Sequence, residues 1–432
     1  MNIHTYLLAL IILISGCVSP NTTFEKIPPG IWRAVLMLDR KPVQEYGDDR
    51  DIVKKFDADA ELPFNFEVVY DNDSTFHLVI FNAEEKIVTQ NIRFGRDKAT
   101  GKDTVEIDFP IFDTRIKAIY EDGIMEGDWI VNYRENYKIP FKAVHGKNQR
   151  FEFLSDATAN SVDGQWECQF EVGETSQYNA TAIFKQLGSR VTGTFLTETG
   201  DYRFLDGMMV GKKLYLSAFD GAHAFLFLGK ILEDGSITGT FRSGSHYTTN
   251  WAAQRSAKES LLRDPYQLTK MRENRPLQFS FPDVEGNLVN LDDEKFQNKA
   301  KIIQIMGTWC PNCLDETQFL MQYFKENPSE DIALVSLCFE RYKDAEKAIS
   351  SIQRYKENTG VTHDVLYAGY FDKKEALKQL PQLDTIMSYP TMLFVDKNNY
   401  VQSIHTGFSG PATPGFKEFS NEFSQKIKAL RN

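Results

Sequence analysis

Cysteine is scarce in this chain of 432 residues, with five in all, and that scarcity excludes a scaffold stapled together by disulfides. Positive charge is short as well. Lys and Arg total 49 against 60 Asp and Glu, and the formal net charge of -11 argues against a phosphate-binding surface and so against nucleic acid as a partner. No run is apolar for long enough to span a bilayer comfortably, the stretch at 6–14 falling well short of the roughly 20 residues required. No convincing amphipathic helix interrupts 27–255, and no second close Cys pair or Cys-His cluster offers a zinc site. What is present is ordinary soluble composition, 42% apolar and 25% charged, at a length that implies two or three domains.

The first seventeen residues are different in kind. The apolar run at 6–14 leads directly into Ser15-Gly16-Cys17, which resembles a bacterial lipoprotein signal: small residues precede a cysteine that is lipidated and becomes the mature N-terminus. The Lys or Arg usual before such a run is missing, leaving His4 and the terminal amine. An ordinary cleaved signal with an incidental cysteine is the alternative. Either way the mature chain is expected outside the cytoplasm. No acidic run follows Cys17, so the expectation is a lipid anchor that faces the periplasm.

Residues 27–255 read as β-structure. Short alternating runs such as Phe64-Asn65-Phe66-Glu67-Val68 recur between turn residues such as Asp71-Asn72-Asp73 and Asp234-Gly235. The region also repeats itself. Glu121-Asp122-Gly123 and Gly127 are echoed by Glu233-Asp234-Gly235 and Gly239, Trp129 aligns with Phe241, and Gly30-Ile31-Trp32 parallels Gly164-Gln165-Trp166. Two related all-β units at 29–146 and 160–255, each a sandwich or barrel, are therefore expected, with the aromatic positions as core and a ligand cavity as the alternative. A charged, helix-compatible stretch at 256–276, punctuated by Asp264-Pro265 and Arg275-Pro276, reads as a linker.

Beyond it, 277–432 changes period. A buried strand at 301–306, a helix from Pro311 ending at Asn327-Pro328, a second apolar strand at 331–337 and a helix at 343–358 make a β-α-β unit. A hairpin around Asp396-Lys397-Asn398-Asn399 and a last helix at 416–430 complete the order of a thioredoxin fold. The specific signal is Trp309-Cys310-Pro311-Asn312-Cys313 at the strand-to-helix junction. Amide dipoles at a helix N-terminus favour an anion, so Cys310 should ionise more readily than a free thiol of pKa about 8.5 and attack first. Cys313, one turn deeper and shielded, should resolve the mixed disulfide.

These residues, with Phe279-Ser280-Phe281-Pro282-Asp283, Tyr389-Pro390-Thr391 and Gly407-Phe408-Ser409-Gly410-Pro411, resemble the membrane-tethered thiol-disulfide reductases of the TlpA and ResA type over 277–431. The resemblance implies a cis Pro390 beside the disulfide, with Tyr389 and Trp309 contacting an extended substrate. It implies that Glu316 shuttles protons for the thiols, and no cofactor or metal is called for. The sequence departs from thioredoxin itself at Gln304, where that relative carries a buried aspartate. Cys338 and Cys168 lie in apolar or alternating strands and read as inert.

The implied activity is thiol-disulfide exchange with periplasmic proteins, in the reductive direction, supplied by a membrane-bound or periplasmic thiol electron donor. A peroxiredoxin shares the opening segment but wants Thr where Gly307 stands. The reading from a different class is a binding lipoprotein of the envelope whose functional part is the β-region.

Overall fold

The computed structural model describes residues 27–39, 60–73, 75–152, 160–255 and 262–431. Cys17 with its signal, and 256–261 of the expected linker, lie outside the described residues. Within 262–276, Leu268 and Thr269 are buried, and Met271 bridges to Leu383.

Gly30–Met37 lies at the centre of the first sheet, a nine-stranded antiparallel one, between Glu61–Tyr70 and Lys138–His145. Its two edge strands, Glu85–Thr89 and Ile92–Arg96, are consecutive in the chain. A chain that leaves one edge and enters the other after a two-residue turn forces the sheet to curl, and the result is a half-barrel. Thr89 Oγ1 donates to Asp108 O at 3.1 Å across the gap. Side chains alternate as a one-faced sheet requires: Val105, Ile107 and Phe109 are buried, while Thr104, Glu106 and Asp108 between them are half-buried.

The second unit closes where the first does not. Gly164–Phe170 pairs with both Tyr178–Leu187 and Tyr247–Arg255, and Tyr178–Leu187 pairs in turn with Arg190–Thr197, which completes a barrel. The short strand Gly200–Asp201 folds back on Arg190–Thr197. Aromatics fill the interior, with Phe195 stacked on Phe227 at 4.6 Å and Phe227 on Phe241 at 4.3 Å.

The two units begin alike. Gly30 and Gly164 take φ of +105° and +102°, a region that favours glycine. The indole N–H groups of Trp32 and Trp166 each reach a carbonyl four residues back, Pro28 O at 3.3 Å and Val162 O at 2.8 Å. They also share a wall. In Lys213–Phe219 every position after the first is buried. Leu214, Leu216 and Ala218 serve the barrel core, while Tyr215 and Phe219 join the core of the half-barrel, where Phe219 stacks on Phe64 at 4.4 Å.

The C-terminal unit is a five-stranded sheet in the order Asp364–Tyr370, Ile332–Glu340, Ala300–Met306, Thr391–Val395, Val401–Thr406. The first three strands run parallel, Thr391–Val395 runs antiparallel to them, and Val401–Thr406 runs antiparallel to Thr391–Val395. Helices α1 (Pro311–Glu326), α2 (Ala345–Thr359), α3 (Lys373–Gln379) and α4 (Gly415–Arg431) surround it. This is the thioredoxin-type arrangement. Asp364–Tyr370 and α3 are additional to the elements expected from the sequence.

Candidate active site

Ala300–Met306 is buried at all seven positions and delivers the chain to α1 through a tight turn. Gly307 is there because a Cβ would strike both the Trp309 indole and Phe339 O. Cys310 is the N-cap of α1, its sulfur accepting the Cys313 N–H at 3.2 Å. Pro311 at the first helical position gives up an N–H that would have had no intrahelical partner. Cys310 and Cys313 form a disulfide with Cα atoms 5.2 Å apart. The Tyr389-Pro390 peptide is cis, and Tyr389 O lies 3.5 Å from Cys310 Sγ. The Trp309 and Tyr389 rings meet edge to face at 5.6 Å. The structure thus gathers Trp309, Cys310, Cys313, Glu316, Tyr389 and Pro390 at one end of the sheet.

Two buried carboxyls, Glu316 and Glu340, and the half-buried Asp315 lie on or beside the dithiol turn. Glu316, one turn beyond Cys313 and on the same face of α1, is wholly buried, and burial pushes its pKa up to about 8. Gln304 eases that shift, but its amide hydrogen-bonds to Cys313 O at 3.1 Å, and both Glu316 oxygens remain without a partner. The Gln304 carbonyl is occupied too, accepting from Thr317 and Ser336 at 2.9 and 3.0 Å. Gln304 is therefore a hydrogen-bond hub and has no proton to trade.

Glu340, which the sequence reading passed over, ends the neighbouring strand and accepts from Thr308 N and Oγ1 at 3.0 and 2.9 Å. Burial raises it to about 7 against the pull of those bonds. An acidic residue terminating the apolar run Cys338-Phe339 was its only trace in the sequence. Asp315 is raised to about 6, again chiefly by burial and despite the Arg203 guanidinium beside it. Cys338 and Cys168 are free and buried. Burial pushes the Cys168 thiol to about 12 and Cys338 well above its ordinary value.

Cys310 retains 6% exposure beside 0% for Cys313. What covers it is the barrel. Its 198–203 segment lies across the face between the dithiol turn and the cis-proline loop. Ser388 Oγ donates to Thr199 O at 2.8 Å, Gly410 N to Asp201 Oδ2 at 2.8 Å, and Asn312 Nδ2 to Asp201 O at 3.3 Å. Gly407 sits so close to 198–200 that a Cβ would press on its backbone.

Arg203 pins this segment, pairing with Asp315 of α1 and Glu85 of the half-barrel and standing 3.6 Å from Asp220. Glu85 and Asp315 each lie more than a hundred residues from Arg203 in the chain, and nothing in the sequence marked these groups as a set.

No family model and no curated protein matches the chain. Among solved structures, it is similar to a putative thiol:disulfide interchange protein DsbE from Chlorobium tepidum at 18% identity, over 38% of this chain and all of that one, with a TM-score of 0.29. It is similar to a thiol-disulfide oxidoreductase from Bacteroides fragilis at 19% identity, over 34% and 99%, TM-score 0.26. An exposed lipoprotein thioredoxin from Streptococcus pneumoniae is similar at 21% identity, over 35% and 99%, TM-score 0.26.

Proposed function

We propose that this chain is a thiol-disulfide oxidoreductase that reduces disulfides in periplasmic proteins, held at the membrane by a lipid on Cys17. The observation that carries the reading is the Cys310–Cys313 disulfide at the N-terminus of α1 with Tyr389 O 3.5 Å from Cys310 Sγ. In the reduced enzyme the Cys310 thiolate attacks one sulfur of a substrate disulfide, forming a mixed disulfide and releasing the first substrate thiolate. Cys313 then gives its proton to the ionised fraction of Glu316 and attacks Cys310 Sγ, which expels the second substrate sulfur as a thiolate that takes up that proton. Two electrons pass to the substrate, and the enzyme is left with the disulfide described above. A thiol donor at the membrane or in the periplasm returns it to the dithiol.

Glu316 suits its part because a carboxyl near pKa 8 is closely matched to a thiol near 8.5, so the proton passes with little penalty in either direction. The test is trapping. Cys313→Ser should accumulate mixed disulfides that dissolve in dithiothreitol, and Cys310→Ser should accumulate almost none. Equal trapping by both variants would refute the assignment.

A further inference from the structure

A cavity of about 390 Å³ opens where the three units meet, beside Trp309. The half-barrel contributes Trp129, Tyr133 and Arg134 to its wall, the mouth of the barrel contributes Tyr202, Phe225 and His246, and the C-terminal unit contributes Trp309 and Arg341. In a chain of net charge -11, its lining contains two arginines and no Asp or Glu.

Arg341 is the unusual member. Its guanidinium carbon stands 4.1 Å from the Trp309 ring centroid, 4.6 Å from Phe371 and 5.2 Å from Tyr133, an aromatic cage on three sides. Its Nε is buried without a hydrogen-bond partner. Arg134 lies over Tyr137 at 5.1 Å and donates to His246 Nε2 at 3.1 Å, which makes that nitrogen an acceptor and the imidazole neutral. Burial and the facing charges of Arg134 and Arg341 hold His246 down to about 4. Two guanidiniums that face one cavity with no carboxylate between them repel each other, and an anion placed there would relieve both.

We propose that this cavity is a binding site for a small organic carboxylate with an aromatic or apolar body, the carboxylate lying between Arg341 and Arg134 and the body against the aromatic wall. The volume is that of a small-molecule pocket. The site is independent of the exchange chemistry proposed for Cys310, although Trp309 belongs to both.

Calorimetric titration of the full chain, kept in its disulfide form, tests this with 3-phenylpropionate and its neutral amide. The acid should bind at least tenfold more tightly than the amide. Arg341→Gln should lose that preference, and Arg341→Lys should keep part of it. A peptide ending in phenylalanine with a free carboxylate should bind more weakly than the free acid. Equal affinity for acid and amide, no binding of the acid at millimolar concentration, or unchanged affinity in both Arg341→Gln and Arg134→Gln would overturn the proposal. A peptide that bound more tightly than the acid would overturn the small-molecule assignment. The disulfide form does not turn over in this assay, so its failure leaves the trapping result intact, and failure of trapping leaves this one intact.

Discussion

Glu316 is mostly a carboxylic acid in the native protein at neutral pH, with a minor ionised fraction, because a folded pKa of about 8 lies above the ordinary value of 4.5. The folded state therefore holds a proton that the unfolded state gives up between those two values, and stability contributed by this group falls as pH rises from about 4.5 to 8. Glu316→Gln removes the penalty. Thermal melts should show the variant gaining on the wild type between pH 5 and pH 9, by up to about 4 kcal/mol at roughly 1.4 kcal/mol per unit of pKa. The same variant should exchange disulfides more slowly at pH 7 than the wild type, with the gap narrowing at pH 9, where thiolates form unaided. A constant gap across that range would make Glu316 structural only. This residue was picked out in the sequence through the resemblance to the TlpA and ResA type, which places a glutamate just after the second cysteine. Glu340 was not, since it meets Thr308 across a parallel strand pair 32 residues away in the chain.

Among the elements, α1 announced itself through Pro311 at its start and Asn327-Pro328 at its end. Asp364–Tyr370 escaped because its run is short and broken by Gly369, whose φ of +130° is a local irregularity. The cover at 198–203 was illegible for another reason: the contacts that hold it over the dithiol are with distant segments, and its own residues read as an ordinary turn. Arg203 is the element's anchor, and removing a buried cation from among carboxylates costs about 3 to 5 kcal/mol. Arg203→Ala should therefore free the segment, and reduced Cys310 should be alkylated by iodoacetamide several-fold faster than in the wild type. An unchanged alkylation rate in a folded variant would show that the segment does not limit access to Cys310.

At the scale of the whole molecule, the repeat foretold two units with a common start but could not say that one would close and the other stay open. Closure depends on Arg190–Thr197 pairing with both Tyr178–Leu187 and Leu205–Val210, where the first sheet leaves Glu85–Thr89 and Ile92–Arg96 as separate edges, and no local pattern distinguishes the two outcomes. Nor are the units separable. Expressed alone, 160–255 would present Tyr215, Phe219 and Leu226 to water, three side chains now in the half-barrel core, and burying each is worth roughly 1.5 to 3 kcal/mol. Size-exclusion chromatography should find 27–255 monodisperse and 160–255 aggregated. A monomeric, folded 160–255 would argue that the shared core is dispensable. The wall formed by Lys213–Phe219 also constrains how this gene can drift over generations. A single inserted codon within it would hand Tyr215 and Phe219 to the barrel and Leu214 and Leu216 to the half-barrel, spoiling two interiors at one stroke. Length differences among descendants should therefore collect in the turn at 211–212 and be absent from the strand that follows it.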